Sequence, residues 1–142
     1  MIRFMLIQNR QGKTRLSRWF VNFSEKEKQR LQLDIHRLVM SRDSRFTNVI
    51  EFLNYKIVYK RFAGLYFLLC IDYNDNELAN LELIQLFVEV LDRYFGNVCE
   101  LDLIFNFHKV YAVVDELIIG GEVAEISKEI ILNNLRKIEA MD

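Results

Sequence analysis

Apolar residues come in short blocks along the first half of the chain and at intervals of three and four along the second. Ile2 to Gln8 contains the run Phe4-Met5-Leu6-Ile7 and reads as a first strand. A turn at Gln11-Gly12 follows, with glycine supplying the positive φ of a β-hairpin. Thr14 to Phe23 reads as a second strand, polar at first, then apolar and aromatic. Ser24-Glu25-Lys26-Glu27 has the spacing of a capping box, in which Ser24 caps an N–H three residues on and Glu27 reaches back. The helix it starts carries Leu31, Ile35, Leu38 and Val39 at helical spacing and is expected to end between Ser41 and Ser44. Val49 to Leu53 and Lys56 to Phe62 then flank a turn at Asn54, and Leu65 to Tyr73 follows a tight turn at Ala63-Gly64.

The next helix runs from Glu77 to Phe95, after the caps offered by Asn74-Asp75-Asn76. Leu81, Ile84, Val88, Leu91 and Phe95 form one apolar stripe on it; Leu83, Phe87, Val90 and Tyr94 form a second, rotated from the first. A girdle this wide predicts burial on more than one side. Gly96 ends the helix. From Glu100 to Ile119, Phe107, Tyr111, Val114 and Ile118 keep helical spacing, while the valines leave a strand open. Gly120-Gly121 breaks this segment, and Ser127 caps a last helix carrying Ile131, Leu135 and Ile138. The order is two strands, a helix, three strands, then helices. Tight hairpins between strands predict an α+β fold, a five-stranded antiparallel sheet packed on helices, in a single domain over 1–142.

Composition narrows the function classes. The chain has 142 residues, 51% hydrophobic and 13% aromatic, without proline, which excludes disorder and leaves apolar surface for a partner. Nineteen basic residues against twenty acidic ones give a net charge of −1, so a nucleic-acid ligand is not expected and any anion site is local. Arg10, Lys13, Arg15 and Arg18 gather around the first hairpin, and Lys60 and Arg61 stand beside the Ala63-Gly64 turn. They read as a solvated rim or as a local carboxylate site suited to the planar arginine fork. No secretory signal is present, and the longest apolar run, Ala63 to Ile71, is about half of what a membrane helix needs. The expectation is a soluble, cytosolic protein with Cys70 and Cys99 as buried free thiols.

Little in the chain points to catalysis. Gly12-Lys13-Thr14 matches the end of a P-loop, but the earlier glycine of that motif falls on Ile7, and no helix is expected after Lys13. His36 and His108 belong to no metal-ligand spacing. Neither cysteine has an adjacent base. Asp72, Asp75 and Glu77 read as cap and turn residues. No enzyme activity, metal or cofactor is expected.

"MIRFMLIQNRQGKTRL", "KIVYKRFAGLYF", "DNEL", "FVEVLDRYFGNVCELDLIFNFHKVYAVVDE" and "GGEV" resemble the small, or sigma, chains of clathrin adaptor complexes. The resemblance spans nearly the whole chain. It implies a longin-like fold, a five-stranded antiparallel sheet flanked by helices, and a role without catalysis. The chain would pack with a large chain in a heterotetramer that also holds a medium and a beta chain. That complex would sit peripherally on the cytosolic face of membranes and select cargo by its cytosolic tails. "IQNRQGKTR", "TNVIEFLNYKIVY" and "RFAGLYF" resemble the endocytic sigma chain of plasma-membrane coated pits, whose large chain is alpha-type. "DNELANLELI" and "IIGGEV" lean toward the Golgi and endosomal form with a gamma-type large chain, and the endocytic form is favoured.

The family's best-known ligand is the acidic dileucine signal, an acidic residue, three arbitrary residues, then Leu followed by Leu or Ile. By resemblance, Arg15 lies near the signal's acidic residue, Ala63, Leu65, Val88, Val98 and Leu103 line the leucine pockets, and Asn97 is at the rim. Two other readings remain. One is a purely structural small chain. The other is a longin-type regulator of vesicle fusion, which usually carries a SNARE helix after the domain; here the chain stops at Asp142.

Overall fold

The computed structural model describes residues 1–42, 48–124 and 127–141; Ser44 and the side chains of Ile138 and Met141 lie outside that description. Five strands form one antiparallel sheet: β1 (Ile2–Asn9), β2 (Thr14–Trp19), β3 (Val49–Phe52), β4 (Tyr55–Phe62) and β5 (Leu65–Asp72), in the order β2-β1-β5-β4-β3. The helices are α1 (Glu25–Ser41), α2 (Glu77–Phe95), α3 (Glu100–Phe105), α4 (Phe107–Leu117) and α5 (Lys128–Met141). A ribbon of β6 (Ile118–Ile119) and β7 (Glu122–Val123) follows α4.

The apolar runs in β1 and β5 arise because the sheet is covered on both faces. Side chains alternate across a strand. Phe4, Leu6, Ile57, Tyr59, Leu68 and Cys70 meet Ile35 and Val39 of α1. Met5, Ile7, Val58, Leu65, Phe67, Leu69 and Ile71 face the other way and meet α2. The Ser24–Glu27 capping box starts α1 as its spacing predicts: Glu27 N donates to Ser24 Oγ at 3.1 Å and Ser24 N to Glu27 Oε1 at 3.3 Å. Asn76 Oδ1 accepts from Ala79 N at 3.1 Å to start α2, and left-handed Gly96, φ 63°, ends it.

Both apolar stripes of α2 pack within this chain, with Leu81, Tyr94 and Phe95 half-buried at their ends. Leu83, Ile84, Phe87, Val88, Val90 and Leu91 belong to one cluster with Val110, Val113, Val114 and Leu117 of α4 and Ile131, Leu132 and Leu135 of α5. The second stripe therefore needs no other protein to cover it.

Other expectations change in detail. β2 stops at Trp19 rather than Phe23, because Phe23 turns back to pack its ring edge-on against Phe4 and Trp19, at 5.9 and 5.5 Å. The segment from Glu100 is helical as far as Leu117, breaking at Asn106 with φ −123° and ψ 34°, while Ile118, expected on its helical face, starts strand β6. Gly120-Gly121 is the tip of the β6–β7 hairpin. Cys70 is buried, and burial pushes its thiol up to about 12, whereas Cys99, expected to be buried, is exposed at the start of α3. Among the described residues, no helix is long and apolar enough to cross a membrane, and no cluster of His, Cys, Asp and Glu could hold a metal ion.

Candidate functional site at the first hairpin and the α2–α3 corner

The glycine-lysine-threonine stretch is a hairpin tip. Asn9 organises it: its Oδ1 accepts from Gln11 N and Lys13 N, both at 3.0 Å, as an Asx side chain does at a turn. Thr14 opens strand β2, not a helix, so the phosphate-wrapping arrangement of a P-loop is absent here.

Asn9 is 5% exposed, and its other end points across the molecule. Nδ2 donates to Glu100 Oε1 at 2.9 Å, and the same oxygen accepts from Arg15 Nε at 2.6 Å. Arg15 first, then Asn9, hold the Glu100 carboxyl below the usual carboxylate range. Three elements thus meet at one ion pair: β1 gives Asn9, β2 gives Arg15, and α3 gives Glu100.

The apolar members lie around it. Leu65 is the cross-strand partner of Asn9. Leu103 lies three residues after Glu100 on α3, and Val98 two before it. Val98 is held at the α2–α3 corner, where its N–H donates to Asp92 Oδ1 at 3.0 Å. Val88 is one turn before Asp92 on α2. Leu65, Val88, Val98 and Leu103 are all buried in a single cluster. Ala63 and Asn97 are not drawn into it. Both are exposed, each in the left-handed region, with φ 52° at the β4–β5 hairpin tip and 76° at the α2–α3 corner.

In this chain alone the cluster is packed shut. Surface cavities of about 430, 380, 100 and 330 Å³ open elsewhere, and none is lined by any of the seven residues named from the sequence. Asn9 and Glu100 were not among those seven. An Asx residue before a glycine turn is a readable signal for the first. Nothing local marks the second, since its partner Arg15 lies 85 residues away.

Of the carboxylates beside α2, read from the sequence as cap and turn residues, only Asp75 makes a turn bond, accepting from Asp72 N at 3.1 Å; Asn76 supplies the cap, and the other two form ion pairs. Asp72 accepts from Arg3 Nε at 2.6 Å, and Glu77 pairs with Lys56 Nζ at 2.6 Å. His36 lies beneath the hairpin at Gly12, and His108 is exposed.

Comparison with known proteins gives this arrangement a family. The family model for the clathrin adaptor complex small chain matches residues 1–142. The chain is 56% identical to the AP-2 complex subunit sigma of Neurospora crassa, over 100% of both chains, and 57% identical to that of Dictyostelium discoideum, over 98% of both. It is 55% identical to the AP-1 complex subunit sigma-2 of Dictyostelium discoideum, over 91% of this chain and 84% of that one. A chain in a homology model of the full-length AP-3 complex in a stretched open conformation superposes with a TM-score of 0.79 at 31% identity, covering 99% of this chain and 95% of that chain. The sheet order, the paired helix layers and this similarity along the whole length agree: the chain belongs to the clathrin adaptor complex small chain family.

Proposed function

We propose that this chain is the sigma subunit of an endocytic, heterotetrameric clathrin adaptor and helps to bind acidic dileucine signals in the cytosolic tails of membrane cargo. As a family member it is a trafficking subunit and not an enzyme. Similarity over the full length to AP-2 sigma subunits supports the endocytic assignment. The partners are then an alpha-type large chain with medium and beta chains, at plasma-membrane coated pits, and the complex provides the membrane contact.

The observation that carries the peptide reading is that Leu65, Val88, Val98 and Leu103 share one packed cluster beside the Arg15–Glu100 pair. A signal's two leucines would each gain roughly 1.5–3 kcal/mol on burial. Ordering a flexible tail and opening a closed cluster both subtract from that. The site is therefore expected to bind with affinity around micromolar, and retention to come from several simultaneous membrane contacts.

Ala63→Phe tests the reading on the assembled complex. Ala63 is exposed, so a larger side chain there spares the core yet blocks approach over the hairpin tip. Calorimetry with an acidic dileucine peptide is expected to show a loss of about tenfold or more, roughly 1.4 kcal/mol. Unchanged affinity would favour a second reading, which the closed packing itself suggests: a structural small chain with no cargo pocket. A pull-down that returns a gamma-type large chain would instead assign the Golgi form, to which the AP-1 relative points.

A further inference from the structure

We propose that Glu100 is a built-in counter-ion that sets how strongly the Arg15 site prefers an acidic ligand residue, an inference that rests on the peptide reading above. Of the four hairpin cations (Arg10, Lys13, Arg15, Arg18), Arg15 is the one that pairs with Glu100, its Nε donating to Glu100 Oε1 at 2.6 Å. The carboxylate is not a loose surface partner. The nearly buried Asn9 amide fixes the same oxygen, and the hairpin backbone fixes Asn9 in turn. Yet the pair is reachable: the Arg15 and Glu100 side chains are 28% and 35% exposed.

A guanidinium has five N–H donors, and Glu100 takes the one on Nε. Others can donate to an incoming carboxylate, which then lies close to the Glu100 charge. Attraction to Arg15 and repulsion from Glu100 partly cancel. The Lys13 charge also bears on Glu100, so removing the carboxylate's charge leaves two cations, Arg15 and Lys13, without the anion that opposes them. Arg15 first, then Asn9, lower the Glu100 carboxyl further below neutral pH, so its opposing charge is present there.

Glu100→Gln separates charge from geometry, because the glutamine amide keeps an oxygen that can accept from Asn9 and Arg15. The experiment is calorimetry on the assembled complex with two dileucine peptides, identical except for Glu or Gln as the upstream residue. E100Q is expected to raise binding of the Glu peptide relative to the Gln peptide by about 1.5- to 5-fold at low salt, the range of an exposed ion-pair coupling. The gain should vanish at high salt and on adding Arg15→Ser. Equal changes for both peptides, a weaker Glu peptide, or a gain that survives Arg15→Ser would overturn the proposal. Glu100 would then only position the hairpin, or another chain would read the acid. Ala63→Phe separates this from failure of the peptide site. If the unmodified complex binds neither peptide, or A63F binds both normally, the peptide site is wrong and the counter-ion role falls with it. If A63F abolishes binding while E100Q leaves the Glu/Gln preference unchanged, only the role of Glu100 is wrong.

Discussion

Gly12 holds φ at +86°, and a Cβ there would come within 2.6 Å of His36 Cδ2. Two costs follow for Gly12→Ala. The left-handed backbone costs about 1–2 kcal/mol for a residue with a Cβ, and the imidazole has to move. Denaturant unfolding is expected to register a loss of at least that size. Adding His36→Ala should recover the steric part and leave the backbone part. If G12A alone is neutral, the hairpin tip is looser than described. The same residues show what the sequence reveals of the site. A glycine turn flanked by Asx and basic residues is visible in "NRQGKTR", and its use as a hairpin follows from the spacing. The carboxylate that Arg15 pairs with is not visible, because the pairing joins positions brought together only when α3 packs against β2. Nor does the sequence show that Leu65, Val88, Val98 and Leu103 are sealed by the chain's own packing.

Element by element, α5 is the helix most dependent on charge. Lys128 Nζ lies 2.8 Å from Glu89 Oε2, Arg93 2.8 Å from Glu129, and Lys109 3.2 Å from Glu139. Lys128 above all holds the Glu89 carboxyl below its ordinary range, and Lys109 does the same for Glu139. A carboxyl lowered on folding stabilises the fold above its unfolded value of about 4.3. That contribution fades as pH falls through the lowered value. The Lys109 ammonium is raised by Glu139, so its share is lost only as pH rises through that raised value. Acidification from neutral pH is thus expected to lower the protection of α5 amides, measured against their intrinsic exchange rate at each pH, before it lowers that of β1 or β5. Uniform exchange at low pH would mean that Ile131, Leu132 and Leu135 alone hold the helix. Such exposed pairs are weak, and burying each of those three side chains contributes roughly 1.5–3 kcal/mol, so the prediction is loosening and not release. Periodicity disclosed the existence of most elements. It did not disclose the break at Asn106, where a change of backbone direction leaves the helical spacing on either side intact. It also could not tell which surface would cover the second stripe of α2, since a sequence pattern records burial without naming the neighbour.

For the whole molecule, the sheet lies between two layers, with α1 on one face and α2 on the other, backed by α4 and α5. Both faces of α2 being internal, the isolated chain is expected to melt cooperatively. Among its exposed apolar groups, Leu101, Ile104, Phe105 and Phe107 are grouped in sequence at α3 and the start of α4, with Phe105 73% exposed. Sedimentation should therefore detect self-association that Phe105→Ser reduces without lowering the melting temperature. Stickiness unaffected by that change would place the adhesive surface elsewhere. The position of β1 between β2 and β5 has a consequence in time. A ribosome adds about 5–20 residues per second, so Ile71, the register partner of Ile2, is made roughly 3–14 s after it. Through that interval the β1–β2 hairpin has greasy side chains on both sides and no third strand to lean on. The arrival of β5, not the making of β1, sets when a nascent chain can close its sheet.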